Sequence, residues 1–283
     1  MTLAHAGHPD AATDALAAFL ERHRPLFVLT GAGCSTESGV PDYRDADGQW
    51  KHNRPVQYRD FIAGEHVRQR YWARSMAGWL RLSRARPNAA HRALAQLEAL
   101  GYIHQLVTQN VDGLHDRAGS RRVIDLHGRI DTVRCQSCGR RTPRSQLQQT
   151  LEQLNGRFTG QLAASAPDGD AELEHADFSA FRVPVCERCG GLLKPDVVFF
   201  GESVPRARAE RAYQGLQEAS GVLVIGSSLM VYSGYRFCRA AKARAQPMAA
   251  INLGRTRADD DLQFKIRDSC GAVLERLVTR LSG

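Results

Sequence analysis

The sequence predicts an α/β fold: a doubly wound parallel sheet with a second, smaller zinc-binding domain formed by two insertions. Three observations predict it. Short continuous apolar runs, "LFVL", "GVLVIG" and "PMAAIN" among them, alternate with amphipathic helical stretches, the pattern of parallel strands buried between helices. Several of these runs stop at small or polar residues, and the carboxyl ends of such strands are where open parallel sheets bind ligands. Two C-x2-C pairs, "CQSC" and "CERC", flank a long polar stretch between the strands. A chain of 283 residues, 43% of them hydrophobic, can bury a full core and suits one large domain, or one large and one small.

The elements follow in order. Residues after Asp10 form an amphipathic helix with Leu16, Phe19 and Leu20 on one face, and Leu26 to Leu29 form a buried strand that stops at Gly31. A dehydrogenase fingerprint would continue as G-x-G-x-x-G. Here the third position is Thr36, no strand with an acidic ribose ligand follows at the usual distance, and the chain runs into the polar loop "VPDYRD". "EHVRQRYWARSMAGWLRLS" is a second helix and "PNAAHRALAQLEALG" a third, with Asn88 as N-cap and Gly101 as stop. "YIHQLVT", "RVIDLHG", "PDVVFF", "GVLVIG" and "PMAAIN" are strands. The sheet is interrupted by the helical stretch from about Ala46 to Arg86 and by the cysteine segment. The expected partition is therefore 1–45, 87–130 and 195–283 for the large domain, and 46–86 and 131–194 for the small one.

Charge and cysteines narrow the chemistry. A net charge of +8 comes from scattered Lys and Arg residues, which reads as a solvated basic surface and not as a nucleic-acid stripe. No segment approaches the roughly 18 consecutive apolar residues of a membrane span. The N-terminus has no basic start before an apolar core, and a cytoplasmic protein is expected. Cys135, Cys138, Cys186 and Cys189 have the spacing of one tetrahedral four-thiolate zinc site. With no position left open, that zinc is structural. A redox dithiol is the competing reading of a single pair. The long gap between the pairs, "LEQLNGRFTGQLAASAPDGDAELEHADFSAF", is an insertion.

The strand ends read together as a nucleotide cradle: Gly31 to Ser35, "TQNVD" from Thr108, "GSSL" from Gly226 and "NLG" from Asn252. Gln109, Asn110 and Asp112 crowd hydrogen-bonding side chains onto one strand end, where something must satisfy them. His127, just past a buried strand and before a glycine, has the ordinary pKa of a general base near neutrality.

"GAGCSTESGVPDYR", "TQNVDGLHDRAG", "LHG", the two cysteine pairs, "KPDVVFFGE", "GSSLMVYS" and "NLG", in this order, resemble the sirtuin family over nearly the whole chain from Leu26. "TESGVPDYR", "RQRYWAR", "APDGD" and "LKPDVVFFGE" look most like its class II branch of mitochondrial and bacterial members. The resemblance implies an NAD-dependent protein lysine deacylase with a Rossmann-like domain, one structural zinc, and NAD and an acyl-lysine peptide in the cleft between its domains. Its products would be free lysine, nicotinamide and O-acyl-ADP-ribose. By resemblance, Gly31, Ala32, Gly33, Ser35 and Thr36 hold phosphates and the adjoining ribose, and Asp42, Tyr43 and Arg44 order over the nicotinamide end. Asn110, Val111 and Asp112 line the nicotinamide pocket and Gln109 contacts ribose. Gly226, Ser227, Ser228, Asn252, Leu253, Gly254 and Cys270 surround the phosphates and adenosine. His127 is the base acting on the ribose hydroxyls. Val198, Phe199, Gly201 and Glu202, with "SSLMVYS", hold an extended substrate as an added strand. Tyr71 and Arg74 lie three apart on one helix face and resemble the pair with which desuccinylating sirtuins grip an acyl carboxylate. An Arg packed by its stem on a basic helix is the bland alternative. A mono-ADP-ribosyltransferase or NAD glycohydrolase could use the same cradle. A zinc-ribbon nucleic-acid binder would leave "TQNVD" and "GSS" without purpose.

Overall fold

The computed structural model describes residues 9–42, 44–51, 55–158 and 177–282; Tyr43 and the "APDGD" segment lie outside them. The described residues fall into two compact units. One draws on 1–51, 85–127 and 204–283, the other on 52–84 and 128–203.

The first unit is built on β1 (Leu26–Thr30), whose five residues are all buried. It pairs in parallel with β2 (Ile103–Thr108) on one side and with β7 (Gly221–Ile225) on the other. With β3 (Val123–Asp125), β8 (Met248–Ile251) and β9 (Phe264–Ile266) the sheet order is β3-β2-β1-β7-β8-β9, every pairing parallel. Strand order reverses between β1 and β7, which opens a crevice at their carboxyl ends. Continuous apolar strands are required because both faces are covered. Leu26 and Val28 face the cluster containing Leu16 of α1 (Pro9–His23), Leu94 of α4 (Ala89–Ala99) and Leu274 of α9 (Cys270–Ser282). Phe27 and Leu29 face Leu216 of α7 (Arg206–Glu218) and Phe237 of α8 (Tyr232–Ala243). Each such side chain contributes about 1.5–3 kcal/mol through burial.

Helix α4 starts where its cap predicts. The Asn88 side chain accepts the His91 N–H, and its Nδ2 donates to the Cys34 carbonyl at 2.8 Å, so one residue caps the helix and ties it to the glycine loop. Gly101, at φ +80, ends it.

The second unit has an antiparallel sheet, β5-β4-β6, of β4 (Gly128–Cys135), β5 (Arg141–Pro143) and β6 (Leu193–Val197). Its core gathers Phe61 of α2 (Tyr58–Ala63), Trp72 and Met76 of α3 (Glu65–Arg84), Leu147 and Leu151 of α6 (Arg144–Leu154), and Val133, Phe181 and Phe199. Here the structure differs from the expected partition. The 195–200 segment does not extend the parallel sheet; β6 pairs antiparallel with β4, Lys194 opposite Arg134 and Val197 opposite Gly128. The sixth parallel strand is β9, which the sequence does not announce. The run "RVIDLHG" also ends early, at Asp125. Gly128 turns the chain at φ +83, and a Cβ there would collide with the Asp196 carbonyl. The short α5 (Leu114–Arg117) follows "TQNVDG". No described helix is long and apolar enough to cross a membrane.

Candidate active site

Two loops meet at the crevice between β1 and β7. Gly31 leaves β1 extended, and the chain then makes two tight turns over Ala32–Cys34 and Thr36–Ser38, ending at Gly39 with φ +78. The Gly33 N–H donates to the Gly226 carbonyl at 2.8 Å. A Cβ on Gly31 would sit 2.7 Å from Ser227 Cβ, and one on Gly226, at φ +59, would collide with the Cys34 backbone nitrogen. These glycines are needed because backbone packs on backbone: the N–H groups of Gly31, Gly33, Cys34 and Ser35 all donate to carbonyls of Ile225, Gly226, Gly31 and Ala32, which fixes the turn at the strand ends.

The end of β2 satisfies its crowded polar side chains within this frame. Gln109 Nε2 donates to Ser227 Oγ at 2.7 Å, and Asn110 Nδ2 donates to the Gly31 carbonyl at 3.0 Å and to Ser35 Oγ at 2.9 Å. Ser35 in turn donates its proton to Asp112 Oδ2 at 2.8 Å, while Oδ1 accepts the Leu114 N–H at 2.9 Å. Ser35 is fully buried and Asn110 and Asp112 nearly so; Val111 between them is half-buried. Loop and strand end therefore form one network, with Asp112 as its anionic terminus.

His127 follows β3. Its Nδ1 lies 2.9 Å from the Gln109 carbonyl and its Nε2 lies 2.7 Å from Ser233 Oγ. A carbonyl only accepts, so Nδ1 carries the proton, and Nε2 presents a lone pair to which the Ser233 hydroxyl donates. Burial lowers the ring pKa to about 4; the Gln109 carbonyl opposes that shift, and Arg208 and Arg236 add to it. The imidazole is neutral near pH 7 and its base points at a hydroxyl donor. Ser233, at the start of α8, is placed by the sequence only as the last residue of the substrate-flanking "SSLMVYS", not as a partner of His127. Its only signal is its place at the end of "GSSLMVYS", where Leu229 holds the left-handed backbone at φ 59, a strained conformation for a branched residue.

The remaining predicted residues of this unit divide. Asn252, at the end of β8, donates to the Gly254 carbonyl at 2.9 Å, and Leu253 beside it is 69% exposed, an apolar side chain available to a base. Ser228 accepts the Arg257 N–H through its carbonyl. Cys270 begins α9 with its thiol buried and its pKa pushed up to about 12. Thr36 is exposed and its hydroxyl returns to the Gly33 carbonyl. Asp42 pairs with Lys51 at 2.5 Å, and Arg44 donates to the Gly48 carbonyl at 2.6 Å with its guanidinium 3.9 Å from the Trp50 ring centre. Those two side chains are engaged within their own loop.

In the second unit the four cysteine sulfurs lie within 4.8 Å of one another, with Cys135 to Cys189 at 3.5 Å and Cys138 to Cys186 at 3.8 Å. A tetrahedral zinc with bonds of about 2.3 Å holds its sulfurs about 3.8 Å apart, so the group fits one zinc. Gly139 (φ +71) and Gly190 (φ +69) return each knuckle to its first cysteine carbonyl. Phe199 is buried against Tyr71 and Phe61, with ring centres 5.2 Å away in both cases. Glu202 accepts the Phe199 N–H at 2.9 Å and pairs at 3.0 Å with Lys194, itself 3% exposed; it fixes the loop that Gly201 turns at φ +80. Val198 follows β6; among the described residues β6 has β4 as its strand partner, with Phe200 just beyond it bridged to Gln57, and the β6 edge away from β4 carries no described strand, where an extended chain could add. Arg74, like Tyr71, is half-buried on α3.

Residues 31–233 match the model of the Sir2 family. The chain is similar to an "NAD-dependent protein deacetylase 2" of Bradyrhizobium diazoefficiens, 59% identical over 94% of this chain and 98% of that protein. It is similar also to the mitochondrial "NAD-dependent protein lipoamidase sirtuin-4" of Bos taurus, 47% identical over 90% of this chain and 82% of that protein. A solved structure described as "Sir2-p53 peptide-NAD+" superposes with a TM-score of 0.77 at 29% identity, covering 95% of this chain and 98% of that one.

Proposed function

The chain belongs to the Sir2 family, and on that premise we infer that it is an NAD-dependent protein lysine deacylase acting on acyl-lysine peptides. The observation that carries the reading is the meeting, in one strand-end crevice, of a glycine-lined backbone cradle and a neutral histidine whose Nε2 lone pair faces a hydroxyl donor. NAD, when bound, would supply an electrophilic ribose carbon for the acyl carbonyl oxygen, with nicotinamide as leaving group, and the ribose hydroxyl that finally accepts the acyl group.

The chain's own residues would do the rest. The turn of Gly31, Ala32, Gly33 and Ser35 would pack its backbone against the phosphates, with Gly226, Ser227 and Ser228 opposite them. The Asn110, Asp112 and Ser35 network offers a preorganised set of donors and acceptors for a carboxamide. His127 Nε2 would exchange the Ser233 proton donor for a ribose hydroxyl and draw its proton away; the Gln109 carbonyl would stabilise the imidazolium that forms. Leu253 would lie against the adenine. In the second unit, the open edge after β6 would take the peptide as an added strand, with Phe199 and Tyr71 giving an aromatic wall for the acyl-lysine stem. Arg74 and Tyr71 would favour an acyl chain that ends in a carboxylate. None of the seven cysteines is in a disulfide, which suits a reducing, cytoplasmic setting.

Turnover of NAD with a panel of acyl-lysine peptides, read by mass spectrometry, tests the reading. Nicotinamide and O-acyl-ADP-ribose should appear in step with deacylated peptide. Free ADP-ribose or ADP-ribosylated protein without loss of acyl groups would overturn it in favour of glycohydrolase or transferase activity.

A further inference from the structure

A second group of ligand atoms lies in the first unit, beside the Ser35–Asp112 network but made of side chains with no role assigned in deacylation. Cys34, His91 and His115 each bring one ligand atom to within 4.8 Å of the others, and all three are at most 1% exposed. They come from three elements: the first turn of the glycine loop, the first turn of α4, and α5. The two imidazole rings are 4.7 Å apart, tilted by 52°.

The hydrogen bonds orient both rings in the same sense. Asn88 Nδ2 donates to the Cys34 carbonyl, so its Oδ1 faces His91; two contacts compete for His91 Nδ1, this oxygen at 2.8 Å and the Asn88 backbone N–H at 3.3 Å, and the shorter one, to an atom that only accepts, puts the proton on Nδ1. His91 Nε2 is then a lone pair. Its nearest polar neighbour, Ser35 Oγ at 3.4 Å, has already given its proton to Asp112 and can offer only lone pairs in return. His115 holds Thr30 Oγ1 at 2.9 Å through Nε2, and its Nδ1 is buried with no hydrogen-bond partner. A buried orphan of this kind costs about 1–3 kcal/mol unless something meets it. With the Thr30 hydroxyl accepting from His115 Nε2–H, each imidazole has one nitrogen held by an oxygen and turns a lone pair on the other toward the cluster, the arrangement in which histidines bind metals. Burial keeps both rings neutral, as ligation requires. The Asp112 carboxylate acts on both Cys34 and His91 and would offset part of the charge of a cation.

We propose that Cys34, His91 and His115 form a second metal site, a buried three-coordinate one for a thiophilic d10 cation, Zn(II) or Cu(I). A thiolate and two imidazoles suit both ions, and hard oxygen-seeking cations are excluded by the donor set. Binding forms one metal–sulfur and two metal–nitrogen bonds and releases the Cys34 thiol proton to solvent, so uptake weakens as pH falls. Cys34 lies within the turn assigned to the phosphates but is not itself one of the residues assigned to NAD, and metal uptake is read without NAD or peptide, so failure of this site and failure of the deacylase reading are distinguishable.

Equilibrium dialysis of the protein with its four-cysteine site zinc-loaded tests the proposal, against buffered Zn(II) in one arm and anaerobically against chelator-held Cu(I) in the other, with metal analysis of the retained protein. The wild type should take up one further equivalent in at least one arm. Cys34→Ser and His115→Gln should each remove it while the four-cysteine zinc stays. Thr30→Val, which leaves the ligands and removes the partner of His115 Nε2, should weaken uptake by about 10- to 100-fold. Added Co(II) should give a thiolate charge-transfer band in wild type and none in Cys34→Ser. A wild type that takes up no further equivalent in either arm overturns the site without recourse to any variant. A further equivalent that survives Cys34→Ser also overturns it, because the ion would then sit on other side chains.

Discussion

The two units satisfy their polar atoms by opposite means. In the first, Gln109, Asn110, Asp112 and Ser35 are held by one another and by carbonyls of the glycine loop, so order comes from strand ends fixed in register by apolar runs. In the second, three short strands and an aromatic cluster are joined by four sulfurs that need an ion to bring them together. The contrast separates a unit whose site is a by-product of its core from one whose core depends on a site. Removing the zinc should break the comparison most severely. Chelation, or Cys138→Ser, takes away a binding free energy on the order of 10 kcal/mol, which in such modules is folding free energy. Trp72 is buried in the second unit, so tryptophan emission should shift to the red while most of the far-UV signal of the parallel sheet and its helices remains. Unchanged emission and activity in zinc-free protein would end the structural role.

His127→Ala sharpens the other half. Among the described residues the ring's hydrogen bonds go to the Gln109 carbonyl and Ser233, so its loss should leave NAD affinity within a few-fold of wild type while deacylation falls by about 10²- to 10⁴-fold. Isothermal titration with NAD and peptide turnover separate the two. A variant that keeps most of its turnover would send the search for the base elsewhere.

Legibility followed the same division. β1, β7 and β8 are almost wholly apolar and β2 ends in an apolar run, so their carboxyl ends, and with them Gly31, Gln109, Gly226 and Asn252, can be placed from sequence. Asn88 and Gly101 mark α4 through cap chemistry alone. β9 escapes because it is three residues long with Lys265 in its middle, a lysine buried only by pairing with Asp259 at 2.6 Å, and no periodicity announces an ion pair. β6 misleads for a related reason: "PDVVFF" has the composition of a buried parallel strand, yet its pairing partner is set by the turn at Gly128, which lies 65 residues earlier. Arg44 could not be paired with Trp50 from spacing, nor Ser233 with His127, because both contacts are made by loop geometry.

A smaller effect concerns the acyl group. Arg74→Ala should cost about 1.5–3 kcal/mol, roughly 10- to 150-fold in kcat/KM, toward glutaryl or succinyl peptides, the value of a charge-assisted hydrogen bond. Acetyl peptides should lose little. Equal losses on both classes would show that the α3 residue acts through the fold of the second unit and not through the acyl carboxylate.

The finest test is Ser233→Ala. In the resting protein this hydroxyl donates to His127 Nε2 at 2.7 Å and so stabilises the neutral ring. A base works only when deprotonated, and with the ring pKa lowered to about 4, kcat/KM should hold level as pH falls through 6.5, where an ordinary histidine would already be titrating, and decline only nearer 4. Deleting the donor removes about 1 kcal/mol from the neutral form, so the pKa should rise by less than about one unit and the acid limb should move to higher pH. At pH 8 the variant should lose less than about tenfold, because Nε2 keeps its lone pair and Nδ1–H its hold on Gln109. An acid limb that stays in place, or moves lower, would mean that the Ser233 contact does not tune the base. The tautomer would then rest on the Gln109 carbonyl alone, the single link between the histidine and the strand-end network.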